Sequence, residues 1–210
     1  MARKTKAEAE QTRQRILDAA EQVFFTHGVM QTSLDQVAEA AGVTRGAIYW
    51  HFADKVALFK ALHESVRLPQ EDLVNQVAVD GHPDPIGFLE EICHDCIRSL
   101  TTDPRLIRVY AILLVRCEYV GEMAEALKRQ QDADEALRDN FIRLFRMARA
   151  NGSLGKAWTP EVAAQVFASM IRGLWSDWLR YGQSFDLKQV WPRCVSELCA
   201  SFRERDAKAA

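Results

Sequence analysis

The 210-residue sequence lacks any long hydrophobic run. Its longest uninterrupted apolar stretch, Val109 to Val115, has seven residues, whereas a helix needs about 20 apolar residues to cross a bilayer. The start of the chain, Met1 to Lys6, is charged and leads into further polar residues rather than into the apolar segment of a signal peptide. We therefore expect a soluble, cytoplasmic protein with no membrane partner.

Glycine, proline and cysteine are also sparse. Ten glycines and six prolines exclude collagen-like and low-complexity chains, and 48% hydrophobic with 27% charged residues is the composition of an ordinary globular protein. The five cysteines are an odd number in a chain with no export signal, so we interpret them as reduced thiols rather than as a disulfide framework. We expect neither a metal nor a cofactor.

An excess of charge of one sign is lacking overall but not locally. The formal net charge of −2 does not indicate a polyanionic partner. Residues 1–15, however, hold five basic side chains against two acidic ones, Glu8 and Glu10. This basic arm could contact DNA phosphates or the minor groove, and the alternative is a solvated tail.

Sustained alternation of apolar and polar residues, which is typical of strands, is absent as well. Apolar spacings of three and four residues recur instead and predict an all-α protein with about nine helices. Gly28 is expected to end the first helix, Thr32 or Ser33 to begin the second, and Thr44 to begin the third. The later helices are expected near Asp54 and at 70–79, 85–101, 104–119, 122–150, 160–181 and 187–204.

A helix, a tight turn and a short helix within the first 55 residues predict a helix-turn-helix, whose second helix enters the major groove of DNA. Arg45 can make a bidentate contact with guanine, and Gly46 would let the backbone approach the bases. Because adjacent helical residues point about 100° apart, we expect Tyr49 to contact a phosphate and Trp50 to pack partly in the core. Arg45 could instead be a solvated charge, and His51 could equally bond between helices.

Four motifs between Thr12 and Leu62 reinforce this interpretation: Arg15-Ile-Leu-Asp-Ala-Ala-Glu, Phe25-Thr-His-Gly28, Thr32-Ser-Leu-Asp-Gln-Val-Ala and Gly42-Val-Thr-Arg-Gly-Ala-Ile-Tyr-Trp-His-Phe-Ala-Asp-Lys55. In combination they resemble the tetracycline-repressor (TetR) family. The resemblance implies a homodimer in which a three-helix head, residues 1–55, binds double-stranded DNA at a palindromic operator. Residues 56–210 would bind a small inducer and dimerise through the last two helices. The DNA contacts implied are Thr32, Thr44, Arg45, Gly46, Tyr49, Trp50, His51 and Lys55.

The start of the chain and Val43–His51 most resemble the branch that represses Gram-negative multidrug efflux pumps of the resistance-nodulation-division class. The implied protein is a transcriptional repressor, not an enzyme, that leaves its operator when a hydrophobic small molecule binds. A long helix from about residue 55 is expected to connect the two sites and to act as the lever between them. The sequence holds no nucleophile elbow, phosphate loop or His-Glu-x-x-His motif, so a helical enzyme is a remote alternative.

Apolar residues after position 85 exceed the needs of a single amphipathic stripe. We expect part of this surface to line a ligand pocket and part to form the dimer interface. The pocket candidates are Phe88, Cys96, Tyr110, Leu113, Cys117, Phe141, Phe167, Ile171 and Trp175. As an alternative, Cys93 and Cys96 share a helical face and could make the protein a redox or metal sensor, although structural zinc needs four ligands.

Overall fold

The computed structural model describes residues 6–66 and 69–203, so the first five residues of the predicted basic arm lie outside it. Within these ranges the chain is all-α, as predicted, with ten helices, one for each helical segment that the sequence places along the chain. The helices are α1 Lys6–His27, α2 Leu34–Ala40, α3 Arg45–His51, α4 Lys55–Glu64, α5 Pro69–Asp80, α6 Pro85–Thr102, α7 Pro104–Val115, α8 Ala124–Ala150, α9 Pro160–Arg180 and α10 Leu187–Phe202. A 3-10 turn, Gly121–Met123, precedes α8. Among the described residues, no helix combines the length and hydrophobicity that a membrane crossing requires.

Local capping sets the helix ends near the amino terminus as the sequence predicts. Gly28, with a φ of 83°, ends α1 in the left-handed region that favours glycine. Ser33 begins α2 with a capping box, in which its hydroxyl accepts from the Gln36 N–H and the Gln36 side chain accepts from the Ser33 N–H. Thr44 and Asp54 each accept a first-turn backbone N–H at the starts of α3 and α4.

α4 is shorter than the long helix expected from about residue 55, and its role as a lever stays a prediction. It ends at Glu64, where the Ser65 N–H bonds to the Ala61 carbonyl and the Ser65 hydroxyl donates to the Leu62 carbonyl. Pro69 then begins the separate helix α5, since a proline without an N–H suits a first turn. The helix-turn-helix is therefore followed by two separate helices, α4 and α5, and α4 has only ten residues.

The chain divides into two compact units. We call the first the head unit, which comprises Met1–Arg67 and Arg105–Arg129, and the other the second unit, which comprises Leu68–Pro104 and Gln130–Ala210. The domain boundary predicted after residue 55 stays a prediction. The head unit holds α4 and most of α7 in addition to the three helices expected to bind DNA.

Residues from both stretches of chain build the core of the head unit. Ile16 and Phe24 of α1, Ile48 of α3, Leu62 of α4 and Ile112 of α7 are fully buried in one cluster. The cluster also includes Met123 and Ala126, which follow α7. In the same segment the Tyr119 ring lies edge-on to Phe59, with 6.1 Å between centroids. The segment after α7 is therefore part of the core.

A buried carboxylate joins α1 to α7 within the head unit. Glu21 is 2% exposed, and its two carboxylate oxygens accept from the Nε atoms of Arg105 at 3.1 Å and Arg108 at 2.6 Å. A buried charge costs several kcal/mol unless it is paired and hydrogen-bonded. The two arginines meet this requirement, so Glu21 fixes the position of α7 on α1.

Aromatic rings fill the core of the second unit. Phe141 of α8 lies edge-on to Phe167 of α9 with 5.1 Å between centroids, and Phe145 lies 4.9 Å from Phe202 of α10. Such edge-to-face pairs add about 0.5–1.5 kcal/mol beyond the area they bury. α10 also packs against α6, where the Trp191 indole N–H donates to the Cys93 carbonyl at 3.0 Å.

In the second unit, an ion pair joins the start of α6 to Arg203, the residue that follows α10. Asp84 caps this helix by accepting from the Gly87 N–H at 3.0 Å and binds Arg203 through both carboxylate oxygens, at 3.0 and 3.3 Å. Burial raises the pKa of Asp84, but the bonds from Arg203 and Gly87 outweigh it and lower that pKa below its ordinary value. A Cβ at Gly87 would overlap the Asp84 carboxylate, so a larger residue here would require the capping side chain to move.

Protonation of Asp84 should remove the stability that Arg203 contributes. Because the folded pKa lies below the unfolded one, this contribution is present above about pH 4 and is lost as the pH falls through the folded pKa. Both side chains are well exposed, so we expect less than about 1 kcal/mol. The difference in urea unfolding between the wild type and Arg203→Met should be largest at pH 7 and should shrink as the pH is lowered below about 4. As a control, Arg98→Met breaks an exposed pair with Asp95 within α6. A difference for Arg203→Met that does not change with pH would contradict the assignment.

Candidate functional site

Helix α3 buries one residue and exposes the side chains expected to meet DNA. Ile48 is fully buried in the core of the head unit. Arg45, Gly46, Tyr49 and Trp50 are exposed. A helix of seven residues is unstable alone, so Ile48 and the capping residue Thr44 hold it in place. The result is a short helix with an open polar and aromatic face.

Two neighbours orient the Arg45 guanidinium. Its Nε lies 3.2 Å from the Asp35 carboxylate of α2, and its Cζ lies 5.7 Å from the centroid of the Tyr49 ring. The Arg45 side chain is nevertheless 71% exposed. A guanidinium has five N–H donors, so Asp35 leaves donors for a guanine edge.

Trp50 and Gly46 both have open surroundings. Trp50 is 72% exposed, so the expectation that it packs partly in the core is wrong. The reason is that Ile48 fills the position at which α3 meets the core, while the Trp50 ring lies edge-on to His51 at 4.5 Å between centroids. A Cβ at Gly46 would meet no atom of the described residues within 4 Å. Packing inside the protein therefore does not require this glycine.

Thr32 and Lys55 point inward in the head unit. Thr32 is buried, and its hydroxyl donates to the Gly28 carbonyl at 2.8 Å. The Lys55 side chain is 12% exposed, and its Nζ lies 2.7 Å from a carboxylate oxygen of Glu122. DNA contacts by these side chains remain predictions. To donate to a phosphate, Thr32 would have to give up its bond to the Gly28 carbonyl, and Lys55 would have to give up one of its internal bonds. Sequence reasoning missed Glu122, because it lies far along the chain from Lys55.

The pocket candidates divide between the two units. Tyr110, Leu113 and Cys117 belong to the head unit and pack with its core. The other candidates belong to the second unit: Phe88, Cys96, Phe141, Phe167, Ile171 and Trp175. Of these, the Phe141 and Phe167 rings are in contact, and Trp175 stacks on Trp178 with 5.2 Å between centroids. The pocket remains a prediction.

Buried polar groups in the second unit were not among the candidates. Asn140 is buried, and its amide donates to the Asn75 side chain. His94 Nε2 and Gln130 Oε1 are buried atoms for which the described residues provide no hydrogen-bond partner. Asn140 could have been recognised in the sequence, because it is a polar residue directly beside Phe141 in an apolar stripe. These groups could bind polar atoms of a ligand.

The cysteines provide no support for a redox or metal site. Cys93 and Cys199 are buried. Burial raises the pKa of Cys93 well above the ordinary thiol value and that of Cys199 to about 12, which disfavours the reactive thiolate. In the ranges 6–66 and 69–203, no three His, Cys, Asp or Glu side chains come together as metal ligands. The alternative based on Cys93 and Cys96 is therefore not supported.

Two family profiles match most of the chain. The profile of bacterial regulatory proteins of the tetR family matches residues 16–62, and that of the C-terminal region of MAATS-type transcriptional repressors matches residues 84–203. The chain belongs to the TetR family. The tetR-family profile contains all the DNA contacts that the resemblance implies, from Thr32 to Lys55.

TetR-family relatives extend the similarity over nearly the whole chain. The HTH-type transcriptional repressor BepR of Brucella suis is 41% identical over 201 residues, which are 96% of each chain. The HTH-type transcriptional regulator AcrR of Shigella flexneri is 39% identical over 90% of this chain and 88% of its own. The crystal structure of NalD, the secondary repressor of the MexAB-OprM multidrug efflux pump in Pseudomonas aeruginosa, has a TM-score of 0.84 and 36% identity, covering 96% and 100% of the two chains. The complex of SmeT with triclosan has a TM-score of 0.82 and 29% identity, covering 94% and 93%.

Proposed function

We propose that this TetR-family protein represses a multidrug efflux operon and leaves its operator when a hydrophobic small molecule binds. The exposed face of α3 is the observation that carries the DNA-binding part. It offers an oriented guanidinium, Arg45, beside two exposed rings and an open glycine. The similarity to NalD, a repressor of a multidrug efflux pump, supports the assignment of the regulated operon.

Each group on α3 has a role that its chemistry supports. Arg45 reads a guanine through two parallel hydrogen bonds, and Gly46 allows close approach. Tyr49 supports the Arg45 guanidinium from one side and leaves its hydroxyl for a phosphate. The head helices thus supply both base contacts, which specify the sequence, and phosphate contacts, which fix the position of the protein.

The proposed homodimer forms through α9 and α10. Val162 and Val166 lie four residues apart on α9 and are both exposed, so they share one face of the helix. Cys194 and Leu198 have the same spacing on α10 and are half-buried. An apolar face of this kind favours pairing with a second copy. Twofold symmetry would match a palindromic operator with half-sites about 34–36 Å apart or a multiple of that distance.

The proposed inducer is a hydrophobic molecule with a few polar atoms. The aromatic residues of the second unit offer apolar contacts, and His94 and Gln130 offer buried polar atoms. A relative, SmeT, was solved with triclosan. By linkage, a drug that weakens operator binding by some factor must itself bind the operator complex more weakly by the same factor.

A fluorescence-anisotropy titration tests this function. Purified protein is titrated against labelled DNA flanking its own gene and against the same DNA with scrambled half-sites. We expect binding at least about 10³-fold tighter to the natural DNA, and release by members of a panel of hydrophobic antibiotics, dyes and plant phenolics. Equal affinity for both DNAs would overturn the repressor assignment. Specific binding that no compound releases would overturn the drug-sensing part alone.

A further inference from the structure

The Lys55 ammonium is fully engaged inside the head unit. An ammonium has three N–H donors, and three acceptors lie around this one. They are the carbonyl oxygens of Thr32 at 3.1 Å and Met30 at 3.5 Å, and the Glu122 carboxylate at 2.7 Å. An operator phosphate can therefore bind Lys55 only if it replaces one of them.

Glu122 is the acceptor that a phosphate can replace. The two carbonyl groups belong to the segment between α1 and α2, which is fixed by bonds from the Val29 N–H to the Arg116 carbonyl and from the Thr32 N–H to the Val29 carbonyl. The Glu122 side chain, in contrast, is 51% exposed and stands on the 3-10 turn before α8. A phosphate would substitute one anion for another, which keeps the Lys55 charge paired.

We propose that Glu122 competes with the operator for Lys55. The carboxylate occupies the place of a phosphate in the free protein, and DNA must displace it when the head binds. This inference rests on the proposed function, since it assumes that Lys55 meets a phosphate of the operator. Glu122 thereby holds the operator affinity below the value that the head could otherwise reach.

A second ion pair in the same region offers a matched control. Lys60 of α4 pairs with Glu125 at the start of α8, three residues after Glu122. Lys60 is not among the residues assigned to DNA. Glu125→Gln therefore removes the same charge as Glu122→Gln, from the same segment, without affecting the ammonium of Lys55. The comparison separates the specific competition from a general change in charge.

The experiment compares operator binding of the full-length wild type and of Glu122→Gln, Glu122→Ala and Glu125→Gln at two salt concentrations. Glu122→Gln and Glu122→Ala should bind the operator roughly fivefold more tightly than Glu125→Gln, counting both half-sites. In a Lys55→Met background, Glu122→Gln should have no more effect than Glu125→Gln. Circular dichroism spectra that match the wild type would show that the variants are folded. If Glu122→Gln does not fold, Glu122→Ala takes its place in the comparison.

Three results would overturn the competition between Glu122 and the operator. Equal affinities of Glu122→Gln and Glu125→Gln would show a general charge effect. Weaker binding by Glu122→Gln would show that the carboxylate positions Lys55 for DNA. An effect of Glu122→Gln that persists without Lys55 would assign it to another partner. A wild type that fails to distinguish operator from scrambled DNA would instead overturn the proposed function, and the inference with it.

Discussion

Arg45→Ala should lose discrimination between the operator and scrambled DNA while the protein stays folded. A bidentate contact to guanine contributes about 1–3 kcal/mol of discrimination, and the proposed dimer would make the contact twice. The expected loss of operator affinity is therefore roughly 30-fold or more. The Arg45 side chain is 71% exposed, and we expect its removal to change the free energy of unfolding by no more than about 0.5 kcal/mol.

Anisotropy titrations of Arg45→Ala against both DNAs would measure this loss. Arg98→Ala is the control, because Arg98 is an exposed arginine of the second unit that pairs with Asp95. Arg98→Ala should bind both DNAs as the wild type does. An equal loss of affinity of Arg45→Ala for both DNAs would make Arg45 a phosphate contact, and unchanged discrimination would exclude it from base reading.

Glu21→Ala should have the largest effect on stability. Removal of one partner from a buried ion pair typically costs about 3–5 kcal/mol, because the remaining charge is left without compensation. Arg105 and Arg108 are each about one-third exposed and can regain some water. We therefore expect a decrease of about 3 kcal/mol in the free energy of unfolding, the lower end of that range.

Urea unfolding at one fixed protein concentration would measure the Glu21 effect, since the proposed dimerisation would make the apparent stability depend on concentration. Asp18→Asn is the control, because the Asp18 carboxylate lies 3.9 Å from Arg105 but is exposed. We expect it to change the free energy of unfolding by less than about 0.5 kcal/mol. An equally small change in the free energy of unfolding of both variants would show that Glu21 contributes no more stability than a surface ion pair.

Local features of the fold could be predicted from the sequence because their causes are local. The glycine that ends α1 and the caps at Ser33 and Thr44 depend on contacts within four residues along the chain. The exposed Arg45 and buried Ile48 follow from the geometry of one short helix. The exposure of Arg45 on the face proposed to bind DNA could thus be predicted without knowledge of the tertiary structure.

Contacts between distant segments could not be predicted in this way. A glutamate on a helix is ordinarily exposed, so nothing around Glu21 in the sequence indicates that Arg105 and Arg108 bury it. The same holds for the bond between Lys55 and Glu122, whose partners lie far apart along the chain and meet only in the tertiary structure. The exposure of Trp50 could not be predicted for a related reason: it depends on how much of α3 is covered by the tertiary packing, and only Ile48 of this helix is buried.

The division of the head unit between two separate stretches of chain limits how this protein can be recombined with others. A single crossover near residue 67 would transplant α1–α4 without the buried Val109, Ile112 and Met123 that complete their core. A chimaera made to report a new ligand on the same operator would need Arg105–Arg129 from the same parent as well. Exchange of DNA specificity between relatives is therefore simpler by substitution on α3 than by exchange of the whole amino-terminal segment.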